Sequence, residues 1–242
     1  MTRRLAVIGA GPVGLEMALA AVDRGWDARV YESGRVGASL ARFGDVALFT
    51  PFVMNSTEGT RARLQRAGVT LPEDGALLGT AAFVERYLQP IARLPELAEC
   101  IREGSHVIGI SRDHRDGPET SSSGVSSGRN PFLLRVATGA GTTFEHADAV
   151  VDASGCTQPM PTGPGGLEAG GESEAGDSIQ RLLVPSLDAA RDCFAGRRVL
   201  LVGCGHSAAT ALVAFEALAE QGVAASPVHW VRRTRADRPF FE

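Results

Sequence analysis

Two stretches of the chain share a pattern in which a short apolar run is followed by small residues and then by apolar residues at helical spacing. They are RRLAVIGAGPVGLEMA (3–18) and RRVLLVGCGHSAATA (197–211). Each apolar run is continuous rather than alternating, which is typical of a strand buried on both faces of a parallel sheet. A second strand-like run follows each stretch, ARVYE (28–32) and PVHWVRR (227–233). The pattern therefore predicts two β-α-β units.

The residues between these units predict a mixture of a helix and strands. GTAAFVERYLQPIARLPEL (79–97) has helical spacing up to Pro90. SHVIGI (105–110), PFLLRVAT (131–138) and ADAVVDASG (147–155) are strand-like, and the first two indicate a β-meander inserted at about 105–145. The polar, Ser/Gly-rich segment 113–130 predicts a flexible loop.

The expected fold class is therefore α/β with two nucleotide-binding parts. The first is a Rossmann-like domain over 1–165, built from a parallel sheet plus the β-meander. A connector over 166–195 leads to a partial second Rossmann-like β-α-β over 196–242.

The first unit carries the spacing G-x-G-x-x-G between its strand and its helix. Gly9 permits a tight turn, Gly11 lets the backbone approach a pyrophosphate, and Gly14 lets the helix pack closely on the strand. Pro12, followed by Val13, suits the first helical turn, whose N–H groups attract an anion. Glu32 ends the second strand, where an acid accepts hydrogen bonds from ribose hydroxyls and repels a 2′-phosphate. FAD or NAD therefore fits this loop better than NADP; a glycine-rich turn for another ligand is the alternative.

The second unit has the variant spacing G-x-G-x-x-A at Gly203, Gly205 and Ala208. Its second strand ends in Arg232 and Arg233 rather than in an acid. Guanidinium groups match phosphate oxygens in a bidentate way, so this pair favours the 2′-phosphate of NADPH. The alternative is that both arginines are merely solvated at a strand end.

The helix after the second loop is apolar on nearly all sides, which predicts packing between two layers. Ser207 is expected to cap this helix. His206 either faces the pyrophosphate or is an ordinary loop histidine.

The composition argues against several other kinds of catalytic or binding site. All 24 basic residues are arginine, which excludes a lysine Schiff base and a phosphate-binding loop ending in Gly-Lys-Ser/Thr. The net charge of −4 gives no indication of nucleic-acid binding. The cysteines form no C-x-x-C pair and the histidines are scattered, so neither a redox-active dithiol nor a metal site is indicated. No apolar run is long enough for a membrane span, and we expect a cytoplasmic protein with reduced thiols.

Several motifs follow one another in an order that resembles a known family. GAGPVG, Glu32, a β-meander, DASG followed by TQPMPTGPG, then GCGHSA and VRR occur in sequence. This order resembles the flavin-containing monooxygenase-like oxidoreductases, which bind FAD and NADPH in two dinucleotide-binding domains. The resemblance covers most of the chain.

The resemblance implies roles for individual residues. It places Gly9, Gly11 and Gly14 on the FAD pyrophosphate, Glu32 on the adenosine ribose and the backbone of Val107 at the adenine. Ser154 and Gly155 pass near the nucleotide half of FAD. It also implies that Gly203, Gly205, Ser207 and Ala208 bind the NADPH pyrophosphate and that Arg232 and Arg233 bind its 2′-phosphate.

Asn55, in FTPFVMNSTEG (49–59), matches the family asparagine that lies close to the flavin ring. Its amide is expected to bind the flavin edge or a peroxide formed there. A turn-forming role or a packing role is the alternative, since asparagine bonds readily to its own backbone.

The leading hypothesis is an FAD-dependent oxidoreductase in which NADPH reduces the flavin, which then reduces or oxygenates a small-molecule substrate. The alternatives are a pyridine nucleotide-disulfide reductase, which the missing C-x-x-C disfavours, and a shortened nucleotide-binding remnant without catalysis. Family members run well beyond 242 residues. We therefore expect a missing C-terminal segment or a homo-oligomer to cover open sheet edges.

Overall fold

The computed structural model describes residues 2–43, 46–113, 130–155, 161–163, 167–180, 187–223 and 227–232. The chain divides into two compact units. The first comprises Met1–Arg42 and Leu48–Cys156, and the second comprises Phe43–Ala47 and Thr157–Glu242. Most of the segment expected to be a flexible loop, 114–129, lies outside the described residues.

The first unit alternates strands and helices. Its elements are β1 (Arg4–Ile8), α1 (Pro12–Val22), β2 (Asp27–Tyr31), α2 (Ala38–Ala41), a 3₁₀ turn (Phe52–Asn55), α3 (Glu58–Arg66), α4 (Thr80–Phe83), a π-helical turn (Val84–Leu88), α5 (Gln89–Ala92), α6 (Pro95–Ala98), β3 (Ile101–Arg102), β4 (His106–Arg112), β5 (Phe132–Thr138), β6 (Gly141–Ala147) and β7 (Ala149–Asp152).

These strands form two sheets. Strands β3, β2, β1 and β7 make a parallel sheet in that order, and β4, β5 and β6 make an antiparallel meander. The α/β fold class, with a Rossmann-like parallel sheet and a β-meander, is confirmed.

The parallel sheet is covered on both faces, as its continuous apolar strands predict. Leu5 and Val7 of β1 pack in the main apolar cluster with α1, whereas Ala6, between them, packs in a second cluster with Leu134 and Val136 of the meander. Successive side chains of a strand point to opposite faces, so three adjacent residues join two separate cores.

The carboxylate of Glu145 forms hydrogen bonds between the meander and the parallel sheet. Glu145 of β6 accepts hydrogen bonds from the Tyr31 hydroxyl (2.9 Å), from Arg29 (3.2 Å) and from Arg102 (2.9 Å). Burial, followed by this contact with Glu145, raises the pKa of Tyr31 to about 12.

The helix after residue 79 does not end at Pro90, and the prediction of its end there is wrong. It continues through the π-helical turn into α5, which ends at Ala92. The amide of Gln89 donates to the carbonyl of Val84, five residues earlier, and this wider turn accommodates a proline that has no N–H to donate.

The second unit contains a further β-α-β. Its elements are α7 (Glu172–Ala175), a 3₁₀ turn (Gly176–Ser178), α8 (Leu187–Phe194), β8 (Val199–Val202), α9 (His206–Glu220) and β9 (Val228–Val231). Strands β8 and β9 are parallel, and an edge-to-face contact of Phe194 with Phe215 (5.2 Å between ring centres) joins α8 to α9.

Two packing predictions for this unit are wrong. Leu200 and Val202 of β8 are each 64% exposed, so β8 is not buried on both faces. Helix α9 buries Phe215 and Leu218 but leaves Val213 exposed, so it is not enclosed between layers. Among the described residues the β8–β9 sheet has two strands, too few to enclose an apolar helix.

Every helix in the described part of the chain is too short or too polar to cross a membrane.

Both tyrosines of the chain should resist ionisation in the folded protein. Burial raises the pKa of Tyr31 to about 12, and burial with the charge of Glu16 also raises the pKa of Tyr87. A raised pKa in the folded state gives stability that is present below about pH 10 and is lost as the pH rises towards about 12. An ultraviolet titration should therefore show little tyrosinate at about pH 10.5 until the chain is unfolded in urea.

The Tyr31→Phe variant provides the control for this titration. Its free energy of unfolding should fall less steeply than that of the wild type between about pH 10 and 12. Half-ionisation of both tyrosines near pH 10 in the folded protein would contradict the prediction.

Candidate functional site

The first glycine loop is a tight turn at the carboxyl end of β1. Gly9 has φ +97°, in the left-handed region that favours glycine, and its amide donates to the Tyr31 carbonyl at 2.8 Å. A Cβ at Gly9 would lie 2.6 Å from the carbonyl oxygen of Ala153, which follows β7. Residue 9 is therefore restricted to glycine both by its backbone and by its neighbour.

The other two glycines of this loop have different surroundings. A Cβ at Gly14 would lie 2.0 Å from the Gly9 carbonyl oxygen, so the helix touches the strand through backbone atoms. A Cβ at Gly11 would meet nothing within 4 Å, so its backbone faces open space. A ligand can approach the loop at Gly11, whereas Gly14 serves the packing.

Helix α1 begins with its N–H groups at this loop. Gly11 is its extended N-cap residue, and Pro12 occupies the first helical position. No described side chain caps the helix, and the Val13 side chain is 67% exposed. The first-turn amides, which have no intrahelical acceptor, are suited to an anion.

The Glu32 side chain forms hydrogen bonds with the backbone of the glycine loop and of the turn after β2. Its carboxylate is buried, and it accepts hydrogen bonds from the amides of Ala10 and Gly34, each at 2.8 Å. The Ser33 hydroxyl also donates to this carboxylate at 3.5 Å. A carboxylate offers about four acceptor positions, so a further hydrogen bond to a ribose hydroxyl is compatible with these contacts. The sequence indicated the ribose role but not the loop role.

Three other expected contributors, Ser154, Gly155 and Val107, follow β7 or lie in β4. Ser154 follows β7, and its amide and hydroxyl donate to Asp152 at 3.0 and 2.6 Å, which lowers the pKa of that carboxyl. Gly155 follows with φ +81°. Val107 is in β4, whose preceding residue Ser105 donates its amide to the Glu32 carbonyl at 2.8 Å.

Asn55 ends the 3₁₀ turn and binds that turn. Its amide nitrogen donates to the carbonyls of Thr50 (2.8 Å) and Pro51 (3.2 Å), and its oxygen accepts from the Thr50 hydroxyl (2.8 Å). These contacts use both amide hydrogens and one lone pair. The turn-forming alternative accounts for all of them, and a flavin-side role would use the remaining lone pair.

A polar cluster that the sequence did not indicate joins the Asn55 segment to α1. Glu16 accepts hydrogen bonds from the hydroxyls of Thr57 (3.0 Å), Thr60 (2.7 Å) and Tyr87 (2.9 Å). The four residues come from α1, the start of α3 and the π-helical turn, so no local spacing could reveal them.

The second glycine loop resembles the first in its backbone geometry. Gly203 has φ +120° and donates its amide to the Val231 carbonyl at 3.0 Å, as Gly9 does to Tyr31. Gly205 is the extended N-cap of α9 (φ −83°, ψ −179°), close to the values of Gly11 (φ −82°, ψ −173°). A Cβ at Gly203 or Gly205 would meet nothing within 4 Å.

The prediction that Ser207 caps α9 is wrong, because Gly205 is the N-cap and carries no side chain. His206 is the first residue of the helix, Ser207 the second, and Ala208 is buried at the third. Arg232 follows β9 and its guanidinium lies 5.2 Å from the ring centre of Trp230. Arg233 and Cys156 lie outside the described residues.

The architecture defines a class of protein by fold: a Rossmann-like α/β protein with two glycine loops. Solved structures with this fold include flavin-dependent and disulfide-reducing enzymes. One is bacillithiol disulfide reductase from Bacillus cereus, with a TM-score of 0.61, 14% identity, and coverage of 96% of this chain and 68% of that one.

Two further solved structures are also similar. An ornithine N-hydroxylase from Kutzneria has a TM-score of 0.57 and 17% identity over 98% of this chain and 54% of its own. A flavin monooxygenase variant from Stenotrophomonas maltophilia has a TM-score of 0.57 and 24% identity over 96% of this chain and 58% of its own. The chain thus spans about half to two thirds of these structures. No family model and no curated protein matches it.

Substitution of Gly14 should separate packing from access at the first loop. Gly14→Ala would force a methyl group against the Gly9 carbonyl, so it should lower the free energy of unfolding by about 1–3 kcal/mol. Gly11→Ala, with open space at its Cβ, should cost less than about 1 kcal/mol. Urea denaturation of both variants measures this; equal stabilities would contradict the packing role.

Substitution of Glu32 tests its part in holding the loop. Glu32→Gln replaces one acceptor oxygen with an NH₂ group that faces a backbone amide. The loss of a charged acceptor should lower the free energy of unfolding by about 1.5–3 kcal/mol. The exposed control Glu85→Gln should change it by less than about 0.5 kcal/mol. A Glu32→Gln variant as stable as this control would show that the carboxylate does not hold the loop.

Proposed function

We propose that this protein is an FAD-dependent oxidoreductase in which NADPH reduces a bound flavin, which then reduces or oxygenates a small molecule. The supporting observation is the pair of glycine loops with similar backbone geometry, each at the carboxyl end of a strand and the start of a helix. The similar structures include an ornithine N-hydroxylase solved with reduced FAD, NADP⁺ and L-ornithine, and an enzyme solved with FAD and NADP.

The first loop fits the diphosphate and ribose of FAD. The open side of Gly11 gives the backbone access to a pyrophosphate, and the first-turn amides of α1 supply donors. Glu32 would hold the ribose with the acceptor position that Ala10, Gly34 and Ser33 leave. When bound, FAD would accept a hydride and pass on electrons; the residues of this chain would bind it and orient it.

The second loop fits NADPH by its charge. Glu32 directly follows β2 in the first unit, whereas Arg232 directly follows β9 and is followed in sequence by Arg233. An acid repels a 2′-phosphate and a guanidinium binds it, so the two loops would take different dinucleotides. Gly203, Gly205, His206, Ser207 and Ala208 would lie along the pyrophosphate of NADPH.

A second candidate is reduction of a disulfide substrate, which the likeness to a bacillithiol disulfide reductase favours. It uses the same two cofactors and differs in the acceptor of the electrons. Under this candidate the reduced flavin is consumed by a small disulfide and not by oxygen.

Flavin reconstitution tests the proposal. The purified full chain, incubated with FAD and freed of excess, should retain flavin absorbance, and NADPH under nitrogen should bleach it. Gly11→Ala should bind FAD at least about tenfold more weakly while remaining folded, because its methyl group fills the open side of the loop. A wild-type protein that retains no flavin would refute the proposal and favour the nucleotide-binding remnant.

The bleached protein then separates the two candidates. Recovery of flavin colour on admission of air indicates use of oxygen, whereas recovery under nitrogen after addition of a low-molecular-weight disulfide indicates a disulfide reductase. Recovery with neither acceptor would contradict both.

A further inference from the structure

Trp230 contacts both the second glycine loop and the arginine that follows β9. Its indole N–H donates to the carbonyl oxygen of Gly203 at 2.7 Å. Its ring lies under Arg232, whose guanidinium carbon is 5.2 Å from the ring centre. One side chain in β9 thus contacts both the turn after β8 and the cation after β9.

The hydrogen bond to Gly203 compensates for a difference between the two loops. In the first loop, a Cβ on Gly14 would lie 2.0 Å from the Gly9 carbonyl, so that carbonyl is in contact with the helix. In the second loop, Ala208 stands where Gly14 would and carries a Cβ. The Gly203 carbonyl therefore cannot take the same position, and the indole N–H provides the contact that fixes it.

The ring contact restricts the guanidinium of Arg232. An arginine side chain has many rotamers, and ordering it on binding costs conformational entropy. Contact of the guanidinium with an aromatic face restricts those rotamers before a ligand binds. Trp230 is half-buried, so its own ring is held by the fold.

We propose that Trp230 is a positioning residue that gives the second loop its preference for a dinucleotide with a 2′-phosphate. The inference rests on the proposed function, in which this loop binds a nicotinamide dinucleotide. The indole N–H shapes the turn that approaches the pyrophosphate, which NAD and NADP share. The ring orients Arg232, which acts on the 2′-phosphate alone. The two contacts therefore predict different effects on the two dinucleotides.

Three variants of the full chain separate these effects. Trp230→Phe keeps an aromatic face and removes the N–H, so it should weaken NADP⁺ and NAD⁺ by similar factors of about two- to tenfold. Trp230→Leu removes both contacts, so it should also reduce the ratio of the two affinities by about three- to tenfold. Arg232→Ala removes the guanidinium itself and therefore shows the largest decrease in the affinity ratio that Trp230→Leu could cause. Calorimetric titration with each oxidised dinucleotide measures all four proteins.

The outcomes distinguish the inference from the proposed function. An unchanged affinity ratio in Trp230→Leu, with a melting temperature like that of the wild type, would overturn the inference alone. A merely structural role would weaken both dinucleotides equally and leave the ratio unchanged. A wild-type protein that binds neither dinucleotide would refute the proposed function together with the inference.

Fluorescence gives a second test that requires no change at Trp230. The chain has two tryptophans, Trp26 and Trp230, so Trp26→Phe leaves Trp230 as the sole emitter. At saturation, NADP⁺ should change its emission more than NAD⁺, because the 2′-phosphate binds the guanidinium that contacts the indole ring. Equal changes with the two dinucleotides would overturn the inference even if Trp230→Leu does not fold.

Discussion

The close approach of α1 to β1 is the constraint on which the first unit depends. Backbone meets backbone there: a single added carbon on Gly14 would overlap the Gly9 carbonyl. This contact places the start of α1 directly at the carboxyl end of the sheet, where its amides face open space at Gly11. Gly14 allows the helix to pack closely on the strand, and this packing places the open side of Gly11 where an anion can approach.

The residues around that opening are fixed by contacts that do not involve a ligand. Glu32 holds the amides of Ala10 and Gly34, and the Ser105 amide holds the Glu32 carbonyl. Glu145 of the meander accepts a hydrogen bond from Tyr31, the last residue of β2, which directly precedes Glu32. The site is therefore preorganised, and the ordering entropy of its acid is met during folding instead of on binding.

The sequence predicted the elements whose signal is local and repeated. Continuous apolar runs predicted β1 and β8, and glycine spacing predicted the turns, because both depend on the residues of one segment. It could not predict that Glu32 binds Ala10 or that Glu16 gathers three hydroxyls, because those partners meet only in the folded chain. The exposure of Leu200 and the helix through Pro90 were mispredicted for the same reason, since the neighbouring chain decides burial and the wider turn absorbs the missing N–H.

The two loops show what the backbone alone determines and what it leaves to side chains. The φ and ψ values of Gly11 and Gly205 nearly coincide, and Gly9 and Gly203 both have positive φ, so both helices start in the same way after a tight turn. Their differences are confined to the third small residue and to the end of the second strand. Replacing Gly14 by Ala208 releases the turn carbonyl from the helix, and Trp230 then holds it. Because that same ring lies 5.2 Å from the Arg232 guanidinium carbon, the turn after β8 is linked to the cation after β9. In the second loop one side chain, Trp230, thus contacts both the turn and the cation, whereas in the first loop the Glu32 carboxylate accepts hydrogen bonds from Ala10 and Gly34.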